Sequence, residues 1–203
     1  MKIIIVGGTG TIGQAIEKEL SKRHRIVIVG HKSGELQVDI ENKQSIENMY
    51  KTVGNFDAVI ATTGQAPFVS LSKITTELYE IGLKNKLMGQ VNLVLIGMKY
   101  INDAGSFTLT GGITNQDPII SGSPSAMVNG ALEGFTKSVA IEMPRNIGIN
   151  LISPTILTES MDKYGDSFRG FFPVPASQVA LAYSKSVEGG AQTGQIYRVG
   201  YSI

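Results

Sequence analysis

The residues IIIV at positions 3 to 6 run straight into VGGTGTIG. An unbroken β-branched run has no polar face to turn to water. It predicts a strand buried on both sides, as the strands of parallel sheets are. Beyond it, IGQAIEKELSK carries apolar residues at 12, 15, 16 and 20, the spacing of a helix. Between strand and helix, Gly7, Gly10 and Gly13 recur at every third position. The first permits a backbone conformation that other residues resist. The second lets backbone N–H groups approach a ligand, and the third lets the helix pack near the strand. A strand, a glycine turn and a helix N-terminus form a cradle for a diphosphate, with the positive end of the helix dipole facing it. The chain therefore predicts a dinucleotide held by Gly7, Thr9, Gly10, Thr11, Ile12 and Gly13.

The same alternation continues downstream. Strands are predicted at 26–29, 36–40, 57–62, 106–110, 149–152 and 195–199, and helices at 45–53, roughly 76–102, 125–143 and 177–187. HKSGE, between the second and third strands, is too short for a full helix. Strands alternating with helices at this spacing suit βαβ crossovers. The expected fold is α/β, a Rossmann-type doubly wound parallel sheet of about seven strands, in a single domain over residues 1–203. Two long loops, 111–124 and 154–173, follow strands. They are expected at the carboxyl edge of the sheet, where such folds bind ligands.

Composition narrows the function. Net charge is +1 and charged residues make up 17%, so no broad basic surface for nucleic acid is expected. The cluster Lys22-Arg23-His24-Arg25 reads as a solvated helix end. Cysteine is absent and only His24 and His31 are present, which predicts no disulfide, no thiolate nucleophile and no metal site. The opening apolar run is too short for a signal peptide, and no run approaches the ~18 apolar residues that span a bilayer. A soluble, cytoplasmic protein with no membrane partner is expected.

At the adenosine end, sites that prefer NAD carry an acidic residue near the end of the second strand, bonded to the ribose. Here Gly30 stands there, followed by His31, Lys32 and Ser33. No carboxylate repels a 2′-phosphate, and a cation and a hydroxyl are at hand, so NADP is favoured over NAD. Asp39, beside Ile40, is a candidate acceptor for the adenine amino group. It also reads as an acid near the N-cap of the helix in ENKQSI.

The pieces VGGTGTIG, VDI, ATTG at 61–64, NKLMGQVNLV, AGSFTLTGG, ALEGFTKSVAIEM with INLISPTILT, and TGQIYRVG occur in this order. Together they make the chain resemble the short-chain dehydrogenase/reductase family over nearly its full length. The resemblance implies that Thr62, Thr63 and Gly64 line the ribose of the cofactor. It also implies that Ile156 and Thr158, after Pro154, meet the nicotinamide carboxamide.

The resemblance breaks down at the family's catalytic residues. Aligned through ALEGFT, Ser125 occupies the position of the family's tyrosine and Asn129 that of its lysine, while its serine falls on Gly112. Its helix asparagine falls on Lys86, or on Asn85 one register away. A tyrosine of pKa ~10 can be tuned toward neutrality by nearby cations, but a serine hydroxyl is far too weak an acid. YSK at 183–185 has the wrong spacing to replace the pair and reads as the surface of the penultimate helix.

Hydride transfer itself needs only a cofactor and an acceptor held face to face. For the proton, Lys86 is one candidate if it projects toward Asn129 and loses water, and a helix-surface lysine is the plain alternative. Tyr164 is another candidate, with Phe168, Phe171 and Phe172 as an apolar lid or as loop anchors. Two functions stand: a reductase using NADP(H) on an unidentified small molecule, and a silent NADP(H) sensor. By resemblance, a homodimer or homotetramer pairing through helices 76–102 and 125–143 is expected.

Overall fold

A computed structural model describes residues 1–201. Seven strands form one parallel sheet in the order β3-β2-β1-β4-β5-β6-β7. They are β1 (Lys2–Val6), β2 (Arg25–Gly30), β3 (Leu36–Gln37), β4 (Phe56–Ala61), β5 (Ile101–Thr110), β6 (Gly148–Pro154) and β7 (Ile196–Val199). The order reverses between β1 and β4, so the crevice of the doubly wound sheet opens beyond their carboxyl ends.

The pleat of β1 explains the two layers. Ile4 and Val6 face a core shared with Tyr50 of α2 (Lys43–Val53), Leu93 and Val94 of α4 (Met88–Gly97), and Val128 and Leu132 of α5 (Ser123–Ala140). Ile3 and Ile5 point the opposite way. They meet Ile16 and Leu20 of α1 (Thr11–Leu20) and Val179, Ala180 and Tyr183 of α7 (Ala176–Glu188). Between α2 and α4 in sequence lies α3 (Thr76–Gly82), and between β6 and α7 the short α6 (Met161–Tyr164).

Four sequence expectations are corrected. The third strand is only two residues long, because it pairs with β2 only through Val29–Leu36 and Gly30–Gln37. The predicted helix 76–102 ends at Gly97 and contains a π turn, Leu83–Leu87, between α3 and α4. β5 accordingly begins at Ile101 and shifts register against β4 between Phe56 and Ala58. Tyr183 is not on a surface: it is fully buried, with its hydroxyl 2.6 Å from Thr110 Oγ1.

The basic cluster does more than end a helix. Arg23 Nε and His24 Nε2 each lie 2.8 Å from Glu188 Oε1, joining the ends of α1 and α7. Arg23 chiefly, by its hydrogen bond, holds the Glu188 carboxyl down at about 2. Among the described residues no helix is long and apolar enough to cross a membrane.

Candidate functional site

The glycine turn is shaped by close backbone approach. Gly7 has φ +87°, and a Cβ there would lie 2.7 Å from the carbonyl oxygen of Thr62. A Cβ on Gly13 would lie 2.4 Å from Gly7 O, so helix and turn are pressed together. A Cβ on Gly10 would meet only the carbonyl oxygen of Gly7, at 3.4 Å, an ordinary contact. The helix α1 starts at Thr11 with no side chain capping it, which leaves the N–H groups of its first turn, at Thr11, Ile12 and Gly13, for an anion.

A cavity of about 520 Å³ runs past this turn at the carboxyl edge of the sheet. Gly7, Thr9 and Gly10 form one end and His31, Asp39 and Ile40 another; Thr62, Thr63 and Gly64 close the side toward β4. Lys32 and Ser33 are exposed and lie outside this wall, so of the three residues after Gly30 only His31 faces the groove. Asp39 is not the helix cap. That role falls to Asn42, whose Oδ1 accepts from the backbone N–H of Gln44 at 2.9 Å and Ser45 at 3.2 Å. Asp39 is exposed at the groove and its carboxylate accepts from Glu41 N at 3.0 Å.

A second cavity of about 350 Å³ adjoins the first, Gly64 and Gln65 lining both. Lys86, Ser125, Asn129 and Tyr164 all line it, together with Pro154 and Ile156. Thr158 does not: it is exposed, and its backbone N–H is spent on Val174 O. A larger cavity, about 610 Å³, opens at the opposite, amino edge beside Met1, Asp57 and Gly148, away from both long loops.

The π turn explains how Asn85 and Lys86 share the work of the wall. One extra residue in a turn spreads neighbouring side chains, a device found at functional sites. Asn85 turns to the first cavity, where its Oδ1 accepts from Gln65 N at 2.8 Å and its Nδ2 donates to Glu41 Oε1 at 2.6 Å. Lys86 turns to the second. Its ammonium donates to Gly111 O at 3.0 Å and to Asn129 Oδ1 at 2.8 Å. Gly64, at φ +100°, makes room, for a Cβ there would sit 2.6 Å from Lys86 Cα. Lys86 is half-buried, and the surface it keeps lines the cavity. Burial of the ammonium lowers its pKa to about 8.

From Asn129 the contacts continue in one direction. Its Nδ2 donates to Gly112 O at 3.1 Å and to Thr114 Oγ1 at 2.9 Å. Thr114 in turn donates to Ser125 Oγ at 3.2 Å. The Ser125 hydroxyl hydrogen is thereby left for a ligand. Asn129 cannot relay a proton, because a side-chain amide binds both partners without exchanging one between them. The aromatic residues divide. Phe168 is buried against Ile113 and Ile156, with Phe171 edge-on at 5.2 Å. Tyr164 and Phe68 face each other at 5.9 Å on the outer wall, while Phe172 is exposed.

Two residues in this region have no counterpart in the sequence reading. Thr114 sits in a short 3₁₀ turn, Ile113–Asn115, inside a long loop, and nothing in the loop's composition marks it. Gln90 is fully buried and brackets the end of β5: its Oε1 accepts from Thr110 N at 2.8 Å and its Nε2 donates to Thr110 O at 2.9 Å. A glutamine inside the largely apolar MGQVNLVLIG is a legible signal of such a role.

Comparison with known proteins agrees with this geometry. The family model described as enoyl-(acyl carrier protein) reductase matches residues 11–188. The chain is similar to the crystal structure of protein lin1944 from Listeria innocua, at 50% identity and TM-score 0.96, covering 98% of this chain and 99% of that one. It is also similar to a small-chain dehydrogenase solved in complex with NADPH, at 26% identity and TM-score 0.88 over 98% and 96% of the two chains. An uncharacterized oxidoreductase of Methylorubrum extorquens is 20% identical over 187 residues, 80% of this chain and 75% of that protein. With the sheet order, the glycine turn and these similarities in place, the chain belongs to the short-chain dehydrogenase/reductase family of oxidoreductases.

Proposed function

We propose that this protein is an NADP(H)-dependent reductase of a small molecule that uses Lys86, in place of the family's tyrosine, as proton donor. The observation that carries the reading is the junction of the two cavities at Gly64 and Gln65, with Lys86 facing the second. The residues fit a dinucleotide: Gly7 and Gly13 admit no Cβ, Gly10 leaves space, and the first turn of α1 is uncapped. His31 in the groove wall, with no carboxylate beside Gly30, favours a 2′-phosphate. The 26%-identical relative solved with NADPH supports the same choice.

Bound in this groove, NADPH supplies a hydride. The remaining tasks belong to the chain. Ser125 donates a hydrogen bond to the acceptor's oxygen and polarises it. Lys86, an ammonium below about pH 8, gives its proton to that oxygen as negative charge develops there. Phe168 and Ile156 form an apolar backing that limits water. Family members pair through long helices, and α4 offers exposed Met88 and Leu95 for a homodimer or homotetramer.

The test is calorimetric titration with NADPH and NADH, followed by NADPH oxidation with a panel of carbonyls, enones, quinones and flavins. Tighter binding of NADPH with turnover of at least one acceptor is expected. Tight binding with no turnover on any of them favours a second reading, a silent redox sensor, which draws on the absent tyrosine.

A further inference from the structure

We propose that the second cavity takes a small anionic substrate, a carboxylate on a compact aromatic or conjugated body, with the charged group facing Lys86. This rests on the reading of that cavity as the substrate site: the carboxylate lies beside the reducible oxygen, so the ammonium's charge balances the first while its one free hydrogen goes to the second. The argument starts from an imbalance of charge. Lys86 has two neutral partners, the Gly111 carbonyl and the Asn129 amide oxygen, and an ammonium has three hydrogens to give. Among the described residues no carboxylate pairs with it, and no Asp or Glu lines the cavity. The adjacent Lys84, by contrast, is held by Glu80. A cation withdrawn from water without a counter-charge is costly, and an anionic ligand removes that deficit.

The polar wall has the matching sense. Lys86 donates only, and the Ser125 hydroxyl, already accepting from Thr114, has its hydrogen to give. Two such donors on one wall favour oxygens that accept. Much of the remaining wall is apolar, although Gln65, Thr155 and Ser160 also line it. Phe68, Tyr164, Phe168 and Ile156 face the space, which at about 350 Å³ suits a compact ring and not an extended chain. A ring with a carboxylate satisfies both halves.

The probes are benzoate and its neutral isostere benzamide, titrated calorimetrically into the full-length protein with and without saturating NADPH. Benzoate is expected to bind at least about tenfold more tightly than benzamide, the scale of one charge-assisted contact. In Lys86→Met the ratio falls to within about twofold. In Asn129→Asp it falls likewise, because a carboxylate then stands where the amide oxygen accepts from the ammonium, and circular dichroism confirms that both variants are folded. Equal binding of the two probes to the wild-type protein, or binding of neither, overturns the inference. Failure of NADPH to bind bears on the reductase reading alone, since the probe comparison is also made on the free protein.

Discussion

Lys86 and Asn129 stand 2.8 Å apart as donor and acceptor, with the ammonium on the π turn and the amide on α5. By resemblance to the family, the Asn129 position carries a lysine, and the family's helix asparagine falls on Lys86 or on Asn85. The positive charge stands at the cavity wall beside Gly64, whose absent Cβ makes room for it. An acid placed there answers to a different pH from a tuned tyrosine.

Reduction is expected to slow as pH rises through about 8, because the ammonium must be present to give its proton. Lys86→Met is expected to lose roughly 10²- to 10⁴-fold in kcat, the usual worth of a general acid. A pH–rate profile from 6 to 10 with any acceptor that turns over checks both; an unchanged profile in the variant excludes this role. Stability moves the opposite way. Between about 8 and 10.5 the unfolded chain holds a proton on Lys86 that the folded one has lost, so this residue's contribution to stability rises with pH across that window.

His31→Asp alone is expected to turn cofactor preference toward NADH, by about tenfold in the ratio of dissociation constants, because a carboxylate in the groove repels a 2′-phosphate. Lys32→Ala is expected to add little, since Lys32 lies outside the wall. Calorimetric titration of both variants with each cofactor decides; a larger effect from Lys32 than from His31 contradicts the assignment.

Tyr183→Phe is expected to cost about 1 kcal/mol of stability, the net worth of one hydrogen bond, and to leave kcat unchanged. Thr110 Oγ1 keeps its own bond to Ala61 O at 2.5 Å. Urea unfolding and initial rates measure the two effects. A large fall in rate with intact stability would place this hydroxyl in the chemistry.

Leu95→Glu is expected to weaken self-association. Leu95 and Met88 are exposed on a helix whose other apolar residues are largely covered, a pattern that asks for a covering partner. Light scattering at matched concentrations should give a smaller mass for the variant. Equal masses remove α4 from the interface.

What the sequence disclosed follows from burial. The runs in β1 and β4 are apolar because both faces are covered, and that leaves a readable trace. The glycine turn is similarly legible, since Gly7 and Gly13 answer to steric demands met by no other residue. The π turn left no trace: its residues LKNKL suit an α-helix equally well, so the register stayed open between Asn85 and Lys86. Within YSK, Tyr183 reads as surface, yet Val179, Ala180 and Tyr183 follow helical spacing and form the buried stripe of α7. Thr114 and Ser125 meet only through the fold of a long loop, and no local pattern encodes that meeting.

The widened turn at Leu83–Leu87 also limits how this protein can be altered. Removing one residue there would restore regular winding and swing everything upstream by about 100°, one residue's share of 3.6 per turn. Asn85 and Lys86 would then lose their separate bearings together. The loop at Gln65 and the wall at Asn129 are geared to one hinge pin, so neither can be re-cut by insertion or deletion without moving its twin.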